Sequence, residues 1–76
     1  MKELLQFIVE NLVQNKEAIQ IREEEVDGNT TFFLSVDEND MGRVIGRKGR
    51  IANSIRTILR ASQHEDGKNV YVEIED

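Results

Sequence analysis

Apolar and polar positions change their period three times along the chain. From residue 1 to 13, Met1, Leu4, Leu5, Ile8, Val9 and Leu12 fall on one arc at helical spacing, with Glu3, Gln6, Glu10 and Gln14 opposite, the pattern of an amphipathic helix. Phe7 projects from the polar side of that wheel. From residue 19 the period drops to two: Ile19 and Ile21 alternate with polar residues, as do Phe32, Leu34 and Val36, and Asp27-Gly28-Asn29 between them supplies turn chemistry. The stretch predicts a β-hairpin with Glu23-Glu24-Glu25 at its outer end. Asp37 to Asp40 offers side chains that cap a helix start. Helical spacing then returns in Ile51, Ile55, Ile58, Leu59 and Ser62, a stripe that reads as core, with Gly67 closing the helix. Val70, Val72 and Ile74 alternate with Tyr71, Glu73 and Glu75, a last strand with one apolar face.

The resulting order, α-β-β-α-α-β, predicts an α+β fold. Two helices between the second and third strands form a crossover, which permits those strands to be parallel neighbours in a three-stranded mixed sheet with the three helices packed on one face. The opposite face is then largely polar, presenting Gln20, Arg22, Thr31, Phe33, Ser35, Tyr71 and Glu73, with Phe33 and Tyr71 expected to cover each other.

Composition narrows the class. Seventy-six residues make one small domain, taken as residues 1–76, and 38% hydrophobic with 33% charged residues is the balance of a soluble globular chain. No apolar run approaches the ~20 residues of a membrane span, and Glu3, Gln6, Glu10 and Asn11 interrupt the first segment, unlike a signal peptide. The expectation is a cytoplasmic protein without membrane attachment. There is no cysteine and one histidine, which excludes disulfides, thiolate zinc sites, a cysteine nucleophile and a multi-histidine metal site.

Charge changes the picture more than any other property. The whole chain carries -5, yet residues 41 to 60 hold Arg43, Arg47, Lys48, Arg50, Arg56 and Arg60 and no acid, a local +6. The other 56 residues carry four bases against all 15 acids, a balance of -11. On a helical wheel Arg50, Asn53, Arg56, Thr57 and Arg60 lie opposite the Ile51/Ile55/Leu59 stripe and so are expected to face solvent. A localised basic face on an acidic body attracts a polyanion by its field and by counterion release.

Within that segment, Gly46-Arg47-Lys48-Gly49 sits between two apolar helical stretches. Glycines let the backbone turn tightly and bring its N–H groups against a ligand. The helix that starts immediately afterwards aims its free N–H groups and positive dipole end at the same place. Backbone, dipole and side chains all favour an anion, and a phosphate fits the description.

The run Val44-Ile45-Gly46-Arg47-Lys48-Gly49-Arg50, followed by Ile55, resembles the GXXG segment of the KH RNA-binding domain. The element order is similar to the type II, bacterial-style KH fold, and nearly all of the chain resembles the small single-KH-domain proteins of the KhpA type. That resemblance implies a groove for about four unpaired nucleotides, with the glycine turn clamping the sugar-phosphate. Carried onto this sequence, Gly46 to Gly49 form the clamp, Arg47 and Lys48 contact phosphates, Ile45 forms part of the apolar floor, and Arg43 and Arg50 extend the positive track. Apolar residues of the second strand are expected to make the far wall. Ala52 departs from the pattern, because many KH domains carry a larger aliphatic residue three positions after the second glycine, and the departure is expected to reshape the groove wall. No aromatic residue occurs from 41 to 60, so sequence-tolerant base stacking is not expected at the turn. The resemblance also implies a dimer, with itself or with a larger KH-containing RNA-binding protein, in an RNA chaperone or regulatory task.

Two rival classes are weighed against this. An enzyme would need activated chemistry, and His64 beside Glu65 and Asp66 is better read as a solvent-exposed residue near a helix end. Glycines at 42, 46 and 49 make neither the P-loop nor the dinucleotide fingerprint. No cofactor or small-molecule substrate is therefore expected. The second rival is a protein-interaction module whose basic helix pair, or Phe7, serves a subunit contact with little RNA binding of its own.

Overall fold

The computed structural model describes residues 1–63 and 67–75. The first helix, α1 (Lys2–Glu10), is followed by a 3-10 turn at Lys16–Ala18 and by the hairpin strands β1 (Gln20–Val26) and β2 (Asn29–Ser35). A second 3-10 turn at Glu38–Asp40 leads into the short helix α2 (Met41–Ile45). The glycine turn Arg47–Gly49, the long helix α3 (Arg50–Ala61) and the strand β3 (Val70–Glu75) complete the order.

The sheet runs β1-β2-β3, with β1 antiparallel to β2 and β2 parallel to β3, as the two-helix crossover predicts. The alternating apolar residues of β2 and β3 place Phe32, Leu34, Val70 and Val72 against Leu5 and Val9 of α1, Val44 of α2, and Ile55 and Leu59 of α3. Phe32, Leu5, Leu34, Leu59, Val9 and Val44 are fully buried, each contributing about 1.5–3 kcal/mol of transfer free energy. In the first stripe the burial follows the periodicity, except that Met1 at the free end remains exposed.

The hairpin closes on Asp27 and Gly28, both at positive φ (52° and 81°), with Val26 paired to Asn29. Two successive left-handed residues match the twist of the flanking strands. Beyond Ile21 every residue of β1 is exposed, including the three consecutive glutamates, so β1 is an edge strand held mainly by its ladder to β2.

Three expectations need correction here. Ile58 is 44% exposed rather than core, because it stands on the flank of the Ile55/Leu59 stripe, where no element among the described residues covers it. Helix α3 ends at Ala61 and passes through Ser62 in right-handed geometry, so Gly67, at φ 77°, belongs to the following loop. On the open sheet face Tyr71 pairs with Thr31, two residues before Phe33, which pairs with Glu73. The ring of Phe33 is covered instead by the guanidinium of Arg22, 4.2 Å from its centroid, and Arg22 also bonds Glu24 and Glu75 at 3.1 and 3.6 Å. The placement expected for His64, Glu65 and Asp66 lies outside the described residues.

Candidate nucleic-acid interface

Helix α2 delivers the chain to the glycine turn with Val44 fully buried beneath it and Ile45 half-buried against the core. At Gly46 the backbone takes φ 76°, ψ 173°, a combination essentially restricted to glycine. Steric contact imposes the same restriction: a Cβ at residue 46 would lie 2.6 Å from Cγ1 and 2.9 Å from the backbone N of Ile51. The bare glycine lets the incoming strand of the turn press directly on the first turn of α3.

Lys48 (φ 58°, ψ 25°) and Gly49 (φ 74°, ψ 14°) then make two successive left-handed steps. A left-handed lysine costs of order 1 kcal/mol, and consecutive turn amides of this kind form a concave, anion-accepting surface. The amide N–H groups of Gly46 and Gly49 donate to the carbonyls of Gly42 and Gly46 at 2.9 and 3.1 Å, whereas those of Arg47 and Lys48 meet no carbonyl among the described residues. Helix α3 starts with no acid in its first turn and no side-chain cap. Its nearest hydroxyl, Ser54, donates instead to the carbonyl of Arg50 at 2.9 Å.

The bases divide into two groups. Arg47, Lys48, Arg50 and Arg60 are exposed and form no ion pair or side-chain hydrogen bond among the described residues. Arg56 corrects the wheel, for it is half-buried and donates through Nε and Nη2 to the carbonyl of Val72 at 3.1 and 2.9 Å. Its Nη1 donates to Asn53 Oδ1 at 3.2 Å. Arg56 therefore ties α3 to β3 and is not part of an open basic face. Arg43 is intermediate: its side chain is 45% exposed while Nη1 rests 3.5 Å from Asp40 Oδ1 and 3.5 Å from the carbonyl of Asn39.

The acidic entry to α2 behaves differently from a plain cap. Asp37 does cap, accepting from the amide of Asn39 at 2.9 Å and from Asn15 Nδ2 at 3.0 Å, and these two bonds, the Asn15 one foremost, hold its carboxyl below its ordinary value of 3.8. Asp40 caps nothing on α2. It is 2% exposed, the only buried charged or polar residue among those described, and accepts from the amides of Gln14 and Asn15 at 3.1 and 3.0 Å. Sequence pattern gave no signal for this contact, because its partners lie 25 and 26 positions away.

The expected site residues are thus contiguous in space as in sequence: Arg43 and Ile45 on α2, Gly46, Arg47, Lys48 and Gly49 in the turn, and Arg50 opening α3. Three wall residues are not as expected. Phe32 and Leu34 of β2 are fully buried and present no open wall, and Ala52, at 5% exposure, faces the core and not a groove. A surface concavity along α1, lined by Lys2, Glu3, Gln6, Phe7 and Glu10, involves none of the turn residues. Among the described residues no cluster of histidine, cysteine, aspartate and glutamate is placed to hold a metal ion, and no helix is long and apolar enough to cross a membrane.

Comparison with known proteins agrees with this architecture. The sequence model of the KhpA/KhpB KH domain matches residues 2–74. The RNA-binding protein KhpA of Listeria monocytogenes is 46% identical over 74 residues, covering 97% of each chain. The protein of the same name from Oceanobacillus iheyensis is 40% identical, covering 97% of this chain and 99% of its own, and that of Aquifex aeolicus is 38% identical, covering 97% and 94%. The parallel β2–β3 pair, the two-helix crossover and the glycine turn between its helices are thus accompanied by sequence similarity along almost the whole length, and the chain belongs to the KhpA/KhpB family of KH domains.

Proposed function

We propose that this chain is a single KH unit, residues 1–76, that binds single-stranded RNA by clamping the sugar-phosphate backbone on the Gly46–Gly49 turn. The observation that carries the reading is the turn itself. Gly46 is pressed against Ile51, Lys48 and Gly49 are left-handed, and the amides of Arg47 and Lys48 are unused beside an uncapped helix start. Arg47, Lys48 and Arg50 neutralise phosphates around the clamp, Arg43 extends the track, and Ile45 supplies apolar floor. The relatives named as RNA-binding proteins support the choice of RNA over other polyanions. The work asked of the site is binding and not catalysis, with no cofactor or small-molecule substrate, in a cytoplasmic RNA chaperone or post-transcriptional regulator.

The test is fluorescence anisotropy of short single-stranded RNAs against the folded wild type and the folded double variant Arg47→Asp, Lys48→Asp, over a range of salt. The wild type is expected to bind with log affinity falling by about 0.7 per phosphate contact per log unit of salt, and the double variant to lose most of its binding. Equal binding by both, or none by either at low salt, ends the clamp reading.

A dimer, with a second copy or with a larger KH-containing RNA-binding protein, is part of the same proposal. The supporting surface is α3 around Ile58. There the hydroxyls of Ser54, Thr57 and Ser62 all donate back to their own helix at 2.9 to 3.0 Å, leaving an apolar residue among groups with no donor to spare. Two grooves on one RNA would raise the apparent affinity well above that of either alone. A monomer by sedimentation at tens of micromolar removes the homodimer. If RNA binding also fails, the second reading, a protein-interaction module using Ile58 or the 66%-exposed Phe7, takes its place.

A further inference from the structure

Asp40 is the residue for which the clamp reading so far supplies no task. A carboxylate removed from water is costly unless its oxygens are matched by donors, and here three donors converge from two parts of the chain. The amides of Gln14 and Asn15, just after α1, meet Oδ1 and Oδ2 separately at 3.1 and 3.0 Å. Nη1 of Arg43, one turn into α2, approaches Oδ1 at 3.5 Å. The amide of Asp40 is itself fixed to the carbonyl of Asp37 at 2.8 Å, and Asp37 takes the side chain of Asn15. The end of α1 is thereby fastened to the start of the helix that carries the glycine turn.

Only one corner of the Arg43 guanidinium is used by this arrangement. Nη1 lies between Asp40 and the Asn39 carbonyl, while Nε and Nη2 have no partner among the described residues. A planar guanidinium tethered at one nitrogen presents its remaining N–H groups in a fixed direction, the condition under which arginine engages a phosphate with little loss of side-chain freedom. A loose lysine or arginine at the same place would have to be ordered by each RNA it met.

We propose that Asp40 is a positioning residue for RNA: from its buried seat it aims Arg43 along the phosphate track and locks the α2–turn–α3 unit to the end of α1. The inference rests on the RNA-clamp reading and adds a residue that touches no RNA. It also has a distinguishing sign. A carboxylate that is merely near the basic face repels RNA, so neutralising it strengthens binding. A carboxylate that positions the face weakens binding when neutralised, although the variant is less negative.

The experiment compares RNA affinity and its salt dependence for wild type, Asp40→Asn, Arg43→Gln and the double variant, each shown folded by circular dichroism at the working temperature. Asn15→Ala serves as control. It removes the Asn15–Asp37 bond in the same loop but leaves both amide donors of Asp40, and is expected to bind RNA within about twofold of wild type. Asp40→Asn is expected to bind roughly five- to tenfold more weakly, with a salt slope shallower by about 0.7, the share of one phosphate. Adding Asp40→Asn to Arg43→Gln is expected to cost less than twofold more, since residues acting through one another are not additive. Equal or tighter binding by Asp40→Asn, or full additivity with Arg43→Gln, overturns the positioning role while leaving the clamp intact. A loss in Asn15→Ala as large as in Asp40→Asn also overturns it, as general softening of the loop. Absence of wild-type binding overturns the clamp reading and this one together.

Discussion

The chain makes two turns with the same backbone device and puts them to opposite uses. Asp27-Gly28 and Lys48-Gly49 are both left-handed pairs, at φ 52° and 81° in one case and 58° and 74° in the other. The first joins two strands whose hydrogen bonds absorb the neighbouring amides, amid Glu23, Glu24 and Glu25, and its Gly28 lies against the aliphatic stem of Lys68. The second joins two helices, leaves the amides of Arg47 and Lys48 unused, and is followed by a helix without a cap. Local conformation is shared, so it cannot be what makes one turn a candidate site. What differs is the use made of the freed N–H groups and the sign of the surrounding charge.

The largest effect expected from this contrast is at Gly46. Gly46→Ala forces a Cβ to within 2.6 Å of Ile51 in a glycine-only conformation, which should lower unfolding stability by roughly 3 kcal/mol and abolish RNA binding. Chemical denaturation reads the first and anisotropy the second. A cost no greater than that of Gly28→Ala would remove the special status of the turn.

Next comes Arg56. Replacing it with Gln breaks two charge-assisted bonds to Val72 and should cost about 1–2 kcal/mol with less than a twofold change in RNA affinity. Arg50→Gln should do the reverse. If Arg56→Gln weakens RNA binding while stability stands, the division of the bases into tethered and free is wrong.

A finer comparison sets Gly49→Ala beside Gly28→Ala. Both positions have room for a methyl group, Gly49 meeting nothing within 4 Å and Gly28 meeting Lys68 carbons at an ordinary 3.5 Å, so each should cost only the left-handed strain of about 1 kcal/mol. RNA affinity should fall several-fold for Gly49→Ala and stay unchanged for Gly28→Ala.

The smallest effect is in pH. Asp37 is more acidic folded than unfolded, chiefly through Asn15 and then through the Asn39 amide. Its contribution is therefore present above the ordinary carboxylate value of 3.8 and is lost as pH falls below it toward the folded pKa. The difference in unfolding midpoint between wild type and Asp37→Ala should accordingly be constant from neutral pH to about pH 5 and shrink only below pH 4. A difference that persists unchanged at pH 2 would mean that the cap does not depend on charge.

Much of this was legible in the sequence because it is local. The period of α1, the Asp-Gly turn and the alternation in β2 and β3 depend on residues within one or two turns of each other, and the glycine turn announces itself by spacing. What the wheel could not supply was the identity of the neighbour. It placed Arg56 opposite the Ile55/Leu59 stripe, but a long side chain at the flank of a helix reaches whatever lies beside it, here the β3 carbonyl. It placed Ile58 in the core because the stripe is apolar, with no knowledge of where the covering layer stops. Asp40 looked like a cap because aspartate before a helix commonly is one, whereas its donors come from a loop 25 residues earlier, a contact that only the fold creates.

The sheet's two borders carry one more consequence. Each outer strand of an open sheet is a template on which another chain can hydrogen-bond and grow into an aggregate. Here β1 lines its border with glutamates, and β3 has the carbonyl of Val72 already occupied by Arg56. Strand addition on β1 would set an incoming chain against Glu23, Glu24 and Glu25, and on β3 it would have to displace Arg56 from the carbonyl of Val72, so the arginine that ties α3 to β3 also blocks one rung of the ladder.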